Sequence, residues 1–301
     1  DSVCAQLDRH WLDAVCAERP VRIQHRSGML WVLNSCALAQ LRIQPGELLP
    51  AGAERAANGE LSGRFFDLDA WLGARLHQAW PSLRDLSAEL ACHGITGVTD
   101  AGARNGQSAW EALCAACERG ELVQRVLVMG SEELAVSSRA WPGRIEVGPL
   151  KIYLREFDLP DFAALVLRVQ AAHAQGRAVA VHCVTRVELA FALAALAEAG
   201  TLPGDRIEHA AVADEHALQA LAALGVTVVT QPQFIAERGD QYLCDVEAVD
   251  IPLLYRGAGF LRGGIALAAG SDAPYGSTDP WAAMRAAVER RTREGVQMNA
   301  D

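Results

Sequence analysis

Lysine is almost absent from this chain: of 27 Lys and Arg side chains, only Lys151 is a lysine. The Ala- and Arg-rich composition indicates a coding bias that replaced lysine wherever a plain positive charge was sufficient. A primary amine, unlike a guanidinium group, can lose its proton and react with carbonyl compounds or CO₂. Lys151 therefore marks either a reactive site or a lysine that survived by chance at a strand edge, and this residue alone does not decide between the two.

Other absences exclude whole classes of protein. The net charge is −10 and no Lys/Arg-rich stripe offsets it, which argues against a nucleic-acid partner. No apolar stretch is long enough to cross a membrane, and no signal-peptide pattern is expected at the N-terminus. The eight cysteines lack the spacing of a disulfide framework, so the sequence predicts a reducing, cytoplasmic location.

Chemically active side chains recur at a regular spacing after strand-like runs. Lys151 lies in the run 147–154, and three later apolar runs end at His182, His209 and Asp272, at intervals of 31, 27 and 63 residues. A (β/α)₈ barrel uses roughly 31 residues for each strand and helix, so these intervals correspond to one, one and two units. The strand that the last interval skips is visible at 226–232.

Helix-period segments separate the strand-like runs, which is typical of a parallel sheet covered by helices. Counting backwards adds two earlier strands and gives seven, ending near residues 100, 129, 153, 182, 209, 231 and 271, whereas a closed barrel has eight. The helices are predicted at 82–92, 109–119, 161–175 and 187–199.

The region before residue 90 has a different pattern. It contains a plausible strand at 20–25 and a stretch at 46–63 that looks irregular. We therefore expect residues 1–90 to form an insertion or subdomain that packs on the barrel and residues 91–301 to form the barrel, together as one structural domain.

The strand ends of such a barrel form its active site, which places Lys151, His182, His209 and Asp272 together. Two neutral imidazoles and a carboxylate suit Zn²⁺ or a similar divalent ion, and a carbamylated lysine would add a further carboxylate oxygen. Such a metal lowers the pKa of bound water to about 7. Asp272 could take the proton of that water and pass it to a leaving nitrogen. The sequence therefore predicts metal-assisted hydrolysis of an amide-like C–N bond.

Several short motifs, in order and spacing, resemble the amidohydrolase superfamily, and more closely its family 3, which includes N-substituted formamide deformylases and other N-acyl hydrolases. The matching stretches are 94–100, Gly148-Pro-Leu-Lys151, Val181-His182, Arg206-Ile-Glu-His209, Gln231-Pro232 and Gly270-Ser-Asp-Ala-Pro274, with weaker similarity over 12–38. The resemblance implies a metal-dependent hydrolase fold, one or two divalent ions, and a carboxylated Lys151 as a ligand. It also implies that His182 and His209 are ligands and that Asp272 is both ligand and general base.

Two features of that family are missing. The chain has no His-x-His pair, which the family carries on its first barrel strand, and Met29 occupies a position where the family usually has His. The flanking β-rich segments are missing as well. We expect the sequence to begin after the first strand, so that residues 1–60 or a second subunit cover the gap. A homo-oligomer is therefore among the expected partners, besides a small-molecule amide.

The remaining conspicuous residues receive simpler interpretations. Glu208 is expected to point to the face opposite His209 and to be structural. Substrate contacts are expected from Asp100, Gln231 and Tyr275, although Asp100 also suits a turn. The lone Cys114–Cys117 pair lies in a predicted helix and is expected to pack there. Three functions remain open: an active amidohydrolase, an inactive barrel that binds a small molecule, and a fragment without a function of its own.

Overall fold

The described residues of the computed structural model, 7–25, 28–44, 46–76, 80–134 and 144–298, fold as two units, Asp1–Pro81 and Ser82–Asp301. The expected boundary was residue 90, whereas the observed one follows Pro81, so the helix Arg84–Cys92 belongs to the second unit.

The first unit contains an antiparallel sheet with strand order β1-β2-β4-β3. Its strands are β1 (Arg22–Gln24), β2 (Leu30–Leu33), β3 (Ala53–Arg55) and β4 (Leu61–Phe66), and its helices are α1 (Arg9–Val15), α2 (Ser35–Gln40) and α3 (Asp69–Arg75). A small core forms where Leu33, Phe65 and Leu72 become almost inaccessible to solvent. The strand expected at 20–25 is confirmed as β1.

The expectation that 46–63 is irregular is wrong. β3 and β4 pair as an antiparallel hairpin within this stretch, with Ala53 opposite Phe65 and Arg55 opposite Leu61. The turn contains Asn58 and Gly59, and Gly59 has a φ of +83°. An Asn-Gly pair is a strong hairpin signal, because both residues tolerate the left-handed backbone that a tight turn requires.

The second unit is a curled, seven-stranded parallel sheet with helices, in the strand order β11-β10-β9-β8-β7-β6-β5. These are the seven strands that the sequence predicts. The strands are β5 (Gly97–Asp100), β6 (Arg125–Gly130), β7 (Ile145–Tyr153), β8 (Val179–Cys183), β9 (Arg206–His209), β10 (Thr227–Thr230) and β11 (Leu267–Ala269).

The four helices predicted in this unit agree with the observed positions to within two residues at each end: α4 (Arg84–Cys92), α5 (Gln107–Glu118), α6 (Phe162–Ala174) and α7 (Arg186–Ala199). The structure adds α8 (Glu215–Leu224), α9 (Gln233–Asp245), α10 (Gly257–Arg262) and α11 (Pro280–Glu289), whose positions were not predicted. Several begin with a side-chain cap: for example, Thr185 and Glu188 form a reciprocal capping box at the start of α7. Cys114 and Cys117 lie in α5, and Cys117 is buried in the core, as expected.

The two ends of the parallel sheet are linked by side chains. The Thr278 hydroxyl, on the segment after β11, donates to the carboxylate of Glu89 on α4, the helix that precedes β5. His93, which ends α4 as expected, lies 3.8 Å from the carboxylate of Asp279 on the same segment. The curl therefore brings the region before the first parallel strand against the region after the last.

Candidate active site

Four predicted side chains converge at the carboxyl ends of the parallel strands. The rings of His182 and His209 lie edge to face, with centroids 4.4 Å apart. Burial, then the charges of His209 and Lys151, lowers the pKa of His182 to about 2; burial and Lys151 lower that of His209 to about 4. Burial raises the pKa of Asp272 to about 6, against the opposing charge of Lys151. The two imidazoles are in direct contact, and Lys151 influences the pKa of both histidines and of Asp272.

Strand alternation directs two of these side chains inward. On β7, Leu150 and Ile152 point outward into the main hydrophobic core, so Lys151 between them points to the inner face. On β8, Val181 and Cys183 point outward in the same way, and His182 points inward. The two strands are paired in parallel, which brings both inner side chains to the same end of the sheet.

His209 reaches the site by a break in strand alternation. Ile207 on β9 points outward into the core, so a regular strand would also direct His209 outward. Instead, His209 has a φ of +71° and Ala210 a φ of +44°. Such values are strained for residues with a Cβ and cluster at functional sites. The turn swings the imidazole inward to meet His182.

The expectation that Glu208 faces away from the site is wrong. Glu208 is paired with His182 in the strand register and lies on the inner face, opposite in direction to the outward Ile207. Its carboxylate is buried, forms an ion pair with Arg206 at 2.5 Å, and raises the pKa of both Lys151 and Asp272. The sequence contains one indication of this direction. Ile207 is an apolar residue suited to the outward core, and residues next to it in a strand point to the opposite, inner face.

A glutamine fixes the protonation pattern of His209. The His209 Nδ1 atom lies 2.6 Å from Gln231 Oε1, and the Gln231 amide nitrogen donates to the Val229 carbonyl. With its nitrogen so engaged, Gln231 presents an oxygen to the ring, and an oxygen can only accept. Nδ1 therefore carries the proton, which leaves the Nε2 lone pair of His209 available to a ligand.

Lys151 is buried, with 5% of its surface exposed. Within the described ranges, its amine has no hydrogen bond and no carboxylate within ion-pair distance. Burial lowers the pKa of Lys151, and the charge of Arg206 adds to this effect, whereas Glu208 and Asp272 oppose it. The neutral amine, which is the form that reacts with CO₂, is therefore more populated than on a solvent-exposed lysine.

Aromatic and polar residues surround the four groups. One of them, Tyr153, was not identified from the sequence; its ring stacks on the His182 imidazole with the centroids 4.0 Å apart. Tyr275 is close enough to affect the pKa of Tyr153, and 36% of its surface is exposed. Asp100 ends β5 and accepts hydrogen bonds from the Gly102 amide and from Asn105, as a turn residue does. Substrate contacts by Asp100, Gln231 and Tyr275 remain predictions.

A sequence model of the amidohydrolase family matches residues 5–300. The chain belongs to the amidohydrolase family. The expected subgroup of formamide deformylases stays a prediction. No curated protein matches the chain.

Solved structures share the fold of this amidohydrolase chain. An uncharacterized metal-dependent hydrolase from Pyrococcus horikoshii OT3 is 20% identical with a TM-score of 0.73, over 94% of this chain and 62% of its own. One from Pyrococcus furiosus is 20% identical with a TM-score of 0.71, over 93% and 64%. Guanine deaminase from C. acetobutylicum, with bound guanine, is 12% identical with a TM-score of 0.51, over 68% and 53%. The chain thus spans less than two thirds of each of these proteins.

The donor chemistry of the site suits a divalent metal. The buried imidazole of His209 and the half-buried imidazole of His182 have strongly lowered pKa values and stay neutral at physiological pH, as metal ligands must. Among the described residues, however, no three His, Cys, Asp or Glu side chains are grouped closely enough to hold an ion. A metal would therefore require a donor outside that set, and Lys151 is the neighbouring candidate if its amine carries a carboxylate.

No helix in the described part of the chain has the length and apolar character needed to span a membrane.

Proposed function

We propose that this amidohydrolase hydrolyses an amide-type C–N bond in a small N-acyl or N-formyl amine, using a divalent metal, with Zn²⁺ as the first candidate. The observation that carries the proposal is the close pair of neutral imidazoles beside a buried lysine and a carboxylate of raised pKa. In this proposal His182, His209 and carboxylated Lys151 hold the metal, and Asp272 is the general base beside it. The expectation that Asp272 is also a ligand stays a prediction.

A divalent metal held by these residues would supply Lewis acidity toward the amide carbonyl and the attacking water. Asp272, with a pKa of about 6, is mostly ionised at neutral pH and accepts a proton from the attacking water. It then donates this proton to the amide nitrogen as the C–N bond breaks, so a carboxylic acid and an amine leave. The raised pKa makes Asp272 a better base than an ordinary carboxylate and still allows it to return the proton.

The side chains around the ligands keep them in place. Gln231 accepts a hydrogen bond from Nδ1 of His209. This contact favours the tautomer in which Nε2 is unprotonated and available to a metal. The ring of Tyr153 covers one face of the His182 imidazole and limits its rotation. Carboxylation of Lys151 joins the neutral amine to CO₂, forming an N–C bond and releasing one proton to solvent, and it turns an amine into a carboxylate ligand.

The single lysine permits a direct test. Protein loaded with Zn²⁺ and carbon-13 bicarbonate should give one lysine carbamate signal by NMR, lost in Lys151→Arg, and should release benzylamine from N-formylbenzylamine. His182→Ala should lose zinc and activity, whereas His216→Ala, on an exposed position of α8, should keep both. A protein that binds zinc and forms the carbamate but hydrolyses neither N-formyl nor N-acetyl amines would disprove the proposed reaction.

The alternative is an inactive barrel that binds a small molecule. The absence of a three-donor His, Cys, Asp or Glu group from the described ranges favours it. Zinc analysis separates the two functions. If the barrel is inactive, the protein should hold no stoichiometric zinc after incubation with zinc and bicarbonate, and His182→Ala should not change the binding of a small-molecule amide.

A further inference from the structure

A cavity of about 460 Å³ opens at the carboxyl ends of β8 and β9. Its walls include Val184 and Val187 after β8, and Ala211 and Val212 after β9. Small-molecule sites commonly have volumes of roughly 300–1,000 Å³. Another cavity, of about 320 Å³, lies between α8 and α10 and contains no residue of the candidate active site.

The larger cavity adjoins the candidate active site. None of the four site residues lines the cavity, but Val184 and Ala211, which do, lie two residues after His182 and His209 on the loops that follow β8 and β9. Tyr242 and Tyr255 also line the cavity, and the charge of Asp272 contributes to the raised pKa of each, after burial as the main cause. The cavity and the candidate site therefore share the loops that follow β8 and β9.

The chemistry of the walls selects the kind of group. Most lining side chains are apolar, including those of Val246, Val249 and Leu254. The charged side chains that line the cavity are three carboxylates, Glu156, Glu247 and Asp250, and one guanidinium, Arg186, which is paired with Asp250. An uncharged apolar group gains burial against these walls, whereas a carboxylate would meet excess negative charge.

We infer that this cavity binds an uncharged apolar substituent, such as an aromatic ring or a branched acyl chain, of the amide that the site hydrolyses. The inference rests on the proposed function for its substrate and on the cavity itself for the substituent. The volume is sufficient: a cavity of roughly 150 Å³ can already hold benzene. Amides of this class are the expected substrates, and those that place a free carboxylate here are excluded.

Binding of para-fluorophenylacetamide, followed by fluorine NMR on the purified protein, tests the inference without requiring turnover. The amide should bind, and 3-fluoro-4-carboxyphenylacetamide, whose ring carries a carboxylate into the cavity, should bind about ten-fold more weakly or worse. Val249→Trp introduces bulk at a lining position that is 64% exposed and should weaken amide binding by about ten-fold or more. The matched control Val288→Trp, 85% exposed on α11, should leave binding unchanged.

Val187→Trp, at a second lining position that is 46% exposed, repeats the test if Val249→Trp does not fold. Equal affinity for the amides with and without the ring carboxylate, or unchanged binding in a folded tryptophan variant of the cavity, would overturn the inference. Binding that responds to these variants in a protein without amide hydrolysis would overturn the proposed function and leave the cavity assignment in place. Hydrolysis of aromatic amides with unchanged kinetics in the same variants would support the proposed function and overturn the cavity assignment.

Discussion

The central and outer strands of the parallel sheet differ sharply in burial. In β8, four of the five residues are buried and His182 is half-buried, and β9 is buried except at Arg206, whereas β5 and β11 contain no buried residue. Central strands pair on both sides and are covered by helices, whereas β5 and β11 each pair with one neighbour only in the described sheet. Burial desolvates charged groups, so the same chemical group behaves differently in the two places.

The candidate site spans both environments. Lys151, His182 and His209 come from central strands, where burial lowers the pKa of each and provides neutral nitrogen atoms. Asp272 follows the outer strand β11, has a φ of +50° and is half-buried. We therefore expect a division of roles between the two sides of the site. The side with Lys151, His182 and His209 holds the metal, and the side with Asp272 transfers the proton.

The largest expected effect tests this division. His182→Ala or His209→Ala should weaken zinc binding by at least about 100-fold, because each removes one of two imidazole ligands. Asp272→Asn should lower amide hydrolysis by about 10²-fold or more, with a smaller loss of zinc affinity. Zinc titration against a competing chelator and a hydrolysis assay measure the two effects. If Asp272→Asn loses zinc as completely as the histidine variants, the division is wrong.

Matched substitutions should reveal the same contrast in stability. Val181→Ala, at a central position with 1% exposure, should lower the free energy of unfolding by about 2 kcal/mol, because it removes buried methyl groups and leaves a cavity. Val98→Ala, on the half-buried outer strand β5, should cost less than about 1 kcal/mol. Urea denaturation of both variants provides the measurement. Equal losses would indicate that β5 is covered as fully as β8.

Two glutamines support the two sides of the site. Gln231 contacts His209, whereas Gln233 donates to the carbonyls of Gly270 and Ser271, just before Asp272. Gln231→Leu should weaken zinc binding by about 10- to 100-fold, since it frees the tautomer of a ligand. Gln233→Leu should mainly lower turnover. Chelator titrations and initial rates on both variants distinguish them, and a reversal of the two effects would contradict the proposed roles.

Much of the parallel sheet was predictable because its strands recur at intervals near 30 residues and its helices end at glycines. The placement of Lys151 and His182 at the ends of neighbouring strands was predicted from the 31-residue interval between them. Glu208 was misplaced because the prediction assumed that His209 continues a regular strand. A positive φ at a histidine has no signature in a single sequence, and it depends on tertiary contacts that hold the turn. The stacking of Tyr153 on His182 depends on side-chain conformation, which could not be predicted from the sequence either.

The smallest expected effect concerns the charges beside the lysine on the buried side. Glu208 favours the protonated amine of Lys151, and Arg206 disfavours it. Carboxylation consumes the neutral amine and creates an anion, so Glu208→Gln should increase the carboxylated fraction of Lys151 about three- to ten-fold at limiting CO₂. Arg206→Gln should decrease it by a similar factor.

Carbon-13 NMR of the metal-free protein in labelled bicarbonate measures that fraction directly. Because Lys151 is the only lysine, its carbamate gives a single lysine signal, and Lys151→Arg identifies any contribution from the chain terminus. Circular dichroism on both variants controls for unfolding, since each substitution leaves one partner of a buried ion pair without its counter-charge. Changes in the same direction in two folded variants would show that these charges do not set the state of Lys151. Desolvation alone would then account for the lowered pKa of Lys151.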